Sequence, residues 1–184
     1  MSNLSVREIK KEDFEPLIQY WISLTPDQMI AMGVDAAKMP VKTDWEKMLI
    51  EQIEQEYPEK KSYCLIWLLD NIPVGHSNIN KIIFGEEAFM HLHMWQAETR
   101  KKGMGINFVK LCLPYYFENF KLKKIFCEPY ALNPAPNIIL PKLDFKFVKE
   151  YFGIPGWICF EQRVKLWELD AAEYKIQLNL KGHS

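Results

Sequence analysis

Three cations and two glycines stand together in Arg100-Lys101-Lys102-Gly103-Met104-Gly105, between the strand-like run 88–95 and the helix-like run 106–120. Glycine lets a backbone pass close to a ligand without a Cβ in the way, and the first turn of a helix aims unpaired N–H groups and a partial positive charge at the same point. This spacing suits the cradling of an anionic, phosphate-bearing ligand. Two common versions of such a cradle are excluded by the spelling. A P-loop would end in Gly-Lys-Ser/Thr and a dinucleotide fingerprint would need a third glycine, whereas the chain continues Met104-Gly105-Ile106-Asn107. A plain connection with solvated lysines is the competing reading, and the surrounding elements decide between them.

A second group of chemically able residues lies just upstream. His91 and His93 alternate with apolar residues, so both imidazoles share one face of the same strand. Imidazole titrates near neutrality, which suits proton transfer, although a strand histidine also serves as a hydrogen-bonded core residue. The two-residue spacing would allow metal chelation, but zinc needs further ligands. Only His76, Glu86 and Glu87 are near, and no thiol pair accompanies them, so no metal is expected.

The elements that must position these residues can be read from periodicity. Residues 4–9 alternate as a strand with one buried face, and Phe14, Leu17, Ile18 and Trp21 then recur at helical spacing. Residues 25–40 mix Met29, Ile30 and Met32 with Gly33 and Pro40, which predicts a short helix and a loop on the ligand side. Thr43-Asp44 resembles a helix start, with Met48, Leu49, Ile53 and Tyr57 continuing one face until Pro58. Residues 62–70 and 72–84 predict a hairpin turning at Asp70-Asn71. The run 88–95 carries bulk on both faces and is expected to be a central strand. Beyond the helix of about 104–120, the pattern predicts a strand over 123–130 and a short helix near 137–143. A closing strand pair over 145–152 and 157–167 turns at Gly153-Ile154-Pro155-Gly156. Residues 168–184 read as a short appended segment.

Composition narrows the partners. At 184 residues and 48% hydrophobic, the chain suits one well-buried core and a single domain. A formal charge of -1 gives no global attraction to nucleic acid or to an anionic membrane, which favours a small phosphorylated ligand. Cys64, Cys112, Cys127 and Cys159 are far apart and lie in apolar runs, as buried free thiols do. No basic-then-apolar leader opens the chain and no apolar run reaches bilayer length, so a cytoplasmic location is the expectation.

The order strand, two helices, three-strand meander, Arg-X-X-Gly-X-Gly loop, helix, strand, short helix, hairpin resembles the GNAT superfamily of acyl-coenzyme-A-dependent N-acetyltransferases. A second match lies in Asn133-Pro134-Ala135-Pro136-Asn137 with Lys142-Leu143-Asp144-Phe145, which resembles the Asn-X-X-Ser/Ala…Lys-Leu-Gly-Phe signature after the fifth strand. The resemblance covers residues 4–167 and leans towards the ribosomal-protein-alanine acetyltransferase branch. It implies one N-acetyltransferase domain over 1–184, with an α/β (α+β) fold. Helices would flank a mixed, mainly antiparallel sheet of six to seven strands, whose splayed central pair holds the cofactor. It also implies acetyl-coenzyme A as cosubstrate and no metal. An amine-bearing small molecule or protein would be the acceptor, with neither nucleic acid nor membrane as partner, and the chain would be a monomer or homodimer.

What the resemblance implies for individual residues follows. Backbone groups of Arg100, Lys101, Lys102, Gly103, Met104 and Gly105 would hold the pyrophosphate, while Met94 and Trp95 would pair with the pantetheine amides and Asn133 and Asn137 would meet the arm from the other side. His91 is the preferred base, with His93, Glu98, Glu128 and water as alternatives, and Tyr130 is a candidate acid. Trp95, Phe152, Trp157 and Phe160 could line a substrate pocket or pack the core. The sequence departs from the family pattern at three points: Pro136 replaces the usual Ser/Ala, Asp144 the glycine, and Leu140 the tyrosine that many members use to protonate the departing thiolate. Asp144 tolerates a left-handed backbone better than most residues, and Pro136 suits the first turn of a helix. A cofactor-binding module with little activity is therefore the alternative function.

Overall fold

A computed structural model describes residues 2–95 and 103–175. Strand β1 (Leu4–Glu8) leads into helix α1 (Phe14–Ile22), which buries Phe14, Leu17, Ile18 and Trp21 at helical spacing. The junction is clamped by Arg7, whose guanidinium donates to both carboxylate oxygens of the buried Asp13 at 2.5 and 2.8 Å. Helix α2 (Pro26–Met32) begins in a capping box between Thr25 and Gln28 and ends at Gly33, where φ is 79°. The side chain of Gln162 fills the space beside Gly33 where a Cβ would sit, so glycine is required there for room as well as for its backbone angle.

Helix α3 (Lys42–Glu54) starts one residue before the expected Thr43-Asp44 signal, which therefore lies in its first turn and does not cap it. Tyr57 falls beyond the helix in a short 3-10 turn. Strands β2 (Ser62–Leu69) and β3 (Ile72–Ile83) form the expected hairpin, and Asp70 and Asn71 both adopt positive φ, as a type I′ turn demands.

Strand β4 (Glu87–Met94), helix α4 (Met104–Phe120), strand β5 (Lys124–Cys127) and helix α5 (Pro134–Ile139) precede the final pair, β6 (Lys146–Gly153) and β7 (Gln162–Asp170). The predicted fifth strand over 123–130 is shortened to Lys124–Cys127, while α5 begins earlier than expected, with Pro134 and Pro136 in its first turn. Asp144 does take up a left-handed conformation, at φ 66°. The closing strand runs to Asp170 and pairs with β5 through Lys124↔Asp170, so 168–170 belong to the sheet and not to an appended tail. Residues 171–175 continue as a helical turn, and Tyr174 stacks on Phe117 at 5.0 Å.

The seven strands form one mixed sheet in the order β1-β2-β3-β4-β5-β7-β6, antiparallel throughout except for the parallel β4–β5 pair. Alternation along the strands supplies two cores. On one face Leu65, Trp67, Ile79, Met90 and Ile125 pack with Phe108, Leu113 and Phe120 of α4. On the other, Cys64, Ile66 and Leu68 pack with Trp21 of α1, Met29 of α2 and Trp45 of α3. Strand β4 is central, as its bulk on both faces predicts.

Candidate functional site

The parallel pair β4–β5 is joined only from Glu87↔Lys124 to Phe89↔Phe126. Two features of the chain open it beyond that point. Pro129 has no N–H to donate to a ladder, and the segment after β5 follows β7, with Lys165 N–H bonding to Pro129 O at 3.1 Å and Ala131 N–H to Arg163 O at 2.9 Å. The two central strands therefore diverge around residues 90–94. Trp95 N–H bonds to Val74 O of the β3 side at 2.9 Å, and strand alternation then turns the peptide groups of Met90, Leu92 and Met94 towards the β5 side. Of the two residues expected to pair with a pantetheine arm, Met94 has its peptide directed to the β5 side and Trp95 to the β3 side.

A cavity of about 250 Å³ lies at this divergence. Its sheet floor is polar, with Asn78, Asn80, His91 and His93 on the same strand face as His76, and Glu128, Tyr130 and Asn133 stand on the opposite bank. The opposite wall comes from the helices, with Leu17, Trp21, Trp45, Leu49 and Gln52, and the β6–β7 connection contributes Trp157. The structure thus brings His91, His93, Tyr130 and Asn133 to one cavity from positions spread across 43 residues of sequence.

The histidines differ in their surroundings. His91 Nε2 lies 3.1 Å from Asn80 Oδ1, so an Nε2–H donating to that oxygen leaves Nδ1 as the basic nitrogen. Burial, with Lys81 nearby, pushes His91 down to about 4. His93 is pushed down as well, first by burial and then by His76 and His91, and its ring lies edge-on to Trp21 at 4.7 Å with Nδ1 3.4 Å from Tyr20 Oη. Trp95 donates its indole N–H to His76 Nδ1 at 2.7 Å, which makes it part of this aromatic cluster and not of the cavity wall.

Glu128 closes one end of the cavity, its carboxylate accepting from Lys81 Nζ at 3.0 Å and from Tyr151 Oη at 2.5 Å. Lys81 also donates to Pro155 O at 2.7 Å and thereby ties β3 to the β6–β7 connection. Glu86 pairs with Lys123 at 2.6 Å at the other end of β4, so it does not face an acceptor. Asn133 caps α5 by accepting from Ala135 N–H at 3.3 Å. Asn137 donates to Tyr130 O and Asn133 O, at 3.0 and 2.8 Å, and accepts from the Trp167 indole at 3.0 Å. Its side chain therefore holds the turn together. Trp157 does line the cavity, while Phe152 and Phe160 flank a separate depression beside Tyr130.

Arg100, Lys101 and Lys102 lie outside the described residues. Gly103 precedes α4 with φ 67°, and among the described residues no side chain caps the first turn and a Cβ at Gly103 or Gly105 would meet nothing within 4 Å. Among the described residues no group of three or more His, Cys, Asp or Glu is arranged to hold a metal ion, and no helix is long and apolar enough to cross a membrane. Leu140 is fully buried at the edge of the cavity. Sequence reading missed Trp21, Trp45, Gln52 and Asn80 as lining residues: the helical spacing of Trp21 signals core packing, and the other three carried no signal for a cavity.

Comparison with known proteins gives two positive findings. A family model described as an acetyltransferase (GNAT) domain matches residues 3–146. Among solved structures, a spermidine N-acetyltransferase from Vibrio cholerae in complex with CoA and spermine is similar at 14% identity and a TM-score of 0.76, covering 93% of this chain and 97% of that one. The ribosomal L7/L12 alpha-N-protein acetyltransferase RimL in complex with coenzyme A is similar at 11% identity and a TM-score of 0.74, covering 91% and 93%. An uncharacterized protein from Bacillus halodurans is similar at 15% identity and 0.69, covering 95% and 87%. These likenesses establish a shared fold. No curated protein matches the sequence.

Proposed function

The chain belongs to the acetyltransferase (GNAT) domain family, and from that premise we propose that it moves an acetyl group from acetyl-coenzyme A to a primary amine by direct attack in a ternary complex. The observation that carries the reading is the opening between β4 and β5, with His91 on one bank and Tyr130 on the other of a single cavity.

The residues present fit coenzyme A. Among the described residues α4 has no side-chain cap, and the left-handed Gly103 at its start suits its first-turn N–H groups to a phosphate, with the positive end of the helix dipole at the same point. Arg100, Lys101 and Lys102 add the cationic side of that cradle in this reading. The edge of β4 that faces β5 beyond the last paired residue, Phe89, suits an amide-bearing arm, which would bind as an added strand. Asn133 would meet the arm from the other bank, and the role of Asn137 is to fix that bank. When bound, acetyl-coenzyme A supplies a thioester carbonyl open to an uncharged amine.

The chain's own residues then manage the protons. His91 is neutral at working pH because burial holds it down, and its Nδ1 is ready to take the amine proton while Asn80 fixes the ring. A base held at about 4 is weak, and the apolar helix wall compensates by disfavouring the ammonium form of the entering amine. Tyr130 is the proton donor on the far bank.

Leu140, where many family members have a tyrosine, favours a second reading as a module that binds the cofactor with little turnover. Calorimetry with coenzyme A and detection of free thiol over a panel of amines separates the two. Binding with thiol release is expected. Binding without release for any amine selects the module, and absence of binding removes both readings.

A further inference from the structure

The polar floor of the cavity is paired within the fold except at one residue. His76 accepts from the Trp95 indole, His91 bonds to Asn80, and His93 Nδ1 lies 3.4 Å from Tyr20 Oη. Asn78 stands between His76 and Asn80 on the same face of β3, lines the cavity and is half-buried. Among the described residues its side chain has no hydrogen-bond partner. Its amide is also open to the cavity. The unpaired side-chain N and O atoms sealed from solvent among the described residues are Trp45 Nε1, Gln52 Oε1, Tyr116 Oη and Gln162 Oε1, and neither atom of the Asn78 amide is one of them.

Register places this amide beside the proposed base. Asn78 is the direct cross-strand partner of His91, and side chains so related leave the same face of a sheet with Cβ atoms about 5 Å apart. His91 commits Nε2 to Asn80 Oδ1 and keeps Nδ1 for the amine. Asn78 Oδ1 is then a second acceptor for the same small group.

A primary amine attacking a carbonyl points its lone pair at the carbon and its two N–H groups away from it. His91 takes only one of them. As the C–N bond forms, the nitrogen gains positive charge and both N–H groups become stronger donors, so an acceptor for the second contributes most in the transition state. One proton passes to His91 Nδ1, the C–S bond breaks with the departing thiolate taking a proton from Tyr130, and the second N–H stays in the product amide.

We infer that Asn78 Oδ1 holds the second N–H of the acceptor and that the Asn78–His91 pair selects primary over secondary amines. A secondary amine has one N–H, which His91 requires, so its N-alkyl group would face the Asn78 oxygen and displace water from it without replacing the hydrogen bond. The inference deepens the acetyl-transfer reading and rests on it.

The test uses the intact protein with acetyl-coenzyme A, the primary amine of the panel that releases thiol fastest, and the N-methyl derivative of that amine. The unmutated protein should favour the primary amine by at least about tenfold in kcat/KM. In Asn78→Leu the primary amine should lose about 10- to 100-fold, the worth of one hydrogen bond from a charged donor, while the N-methyl amine changes by less than about threefold. Coenzyme A affinity, read by calorimetry, should match that of the unmutated protein. Asn78→Asp keeps an acceptor oxygen in place and should keep the preference, which decides the matter if Asn78→Leu does not fold. Equal rates for the two amines in the unmutated protein, an equal fall for both in Asn78→Leu with coenzyme A affinity intact, or loss of the preference in Asn78→Asp overturns the inference and leaves acetyl transfer standing. Thiol release from no amine removes acetyl transfer and the inference with it.

Discussion

Acidification should unfold this protein through His76. The side chain is 3% exposed, its Nδ1 accepts the Trp95 indole N–H at 2.7 Å, and its ring stacks on His93 at 4.6 Å. An indole nitrogen is only a donor, so His76 Nδ1 must be unprotonated in the native state, and protonating it would set two donors against each other. Burial, with His91 adding to it, holds His76 down to about 3 from 6.5. The unfolded chain therefore takes up this proton first, and stability is full above the unfolded value and falls as pH drops towards the folded one. At about 1.4 kcal/mol per pKa unit, going from about pH 7 to about pH 5 costs about 2 kcal/mol from this residue alone. His91 and His93 are displaced the same way and steepen the loss. Urea unfolding followed by tryptophan fluorescence at the two pH values measures it. His76→Gln keeps an acceptor for Trp95 without a titrating group, so it should be less stable at neutral pH but lose part of the slope. A wild-type stability that does not change over this interval, or an undiminished slope in His76→Gln, refutes the reasoning.

Gly103→Val forces a branched residue into φ 67° at the start of α4, which should cost about 1–2 kcal/mol of stability and weaken coenzyme A binding further, as read by calorimetry on the folded variant. His91→Ala should lower turnover by about 10²-fold while acetyl-coenzyme A affinity stays near wild type; because His91 is held at about 4, the wild-type rate should show no inflection at the ordinary imidazole value, and one there assigns the base elsewhere. Tyr130→Phe should reduce turnover with cofactor binding preserved, and an unchanged rate removes Tyr130 as the acid. Leu140→Tyr inserts a larger side chain at a fully buried site and should cost about 1–3 kcal/mol, seen as a lower urea midpoint, with no gain in turnover if Tyr130 already serves.

The sequence determined the elements and their order, because those signals are local. Alternation at 88–95 and the turn residues Asp70-Asn71 act within a few residues, and the structure has β4 in the centre and a left-handed pair at the turn as they require. The two family motifs also lie in short windows, so the fold class was legible from them. Tertiary structure alone decided where β5 stops and how the cavity is walled. Pro129 and the competing partner β7 draw the chain away from β4, an outcome that depends on a strand almost forty residues later in the chain. Asn137 matched the cofactor motif by its spacing, and the fold adds what the spacing could not show: two local hydrogen bonds to Tyr130 O and Asn133 O and one from Trp167, thirty residues later, hold its side chain in the turn. Trp45 and Gln52 carried no sequence signal for a cavity wall, and only the packing of α3 against the sheet placed them on it. Periodicity encodes which face of an element is buried, whereas the pairing of each polar atom is fixed by neighbours that the folded chain brings from distant positions.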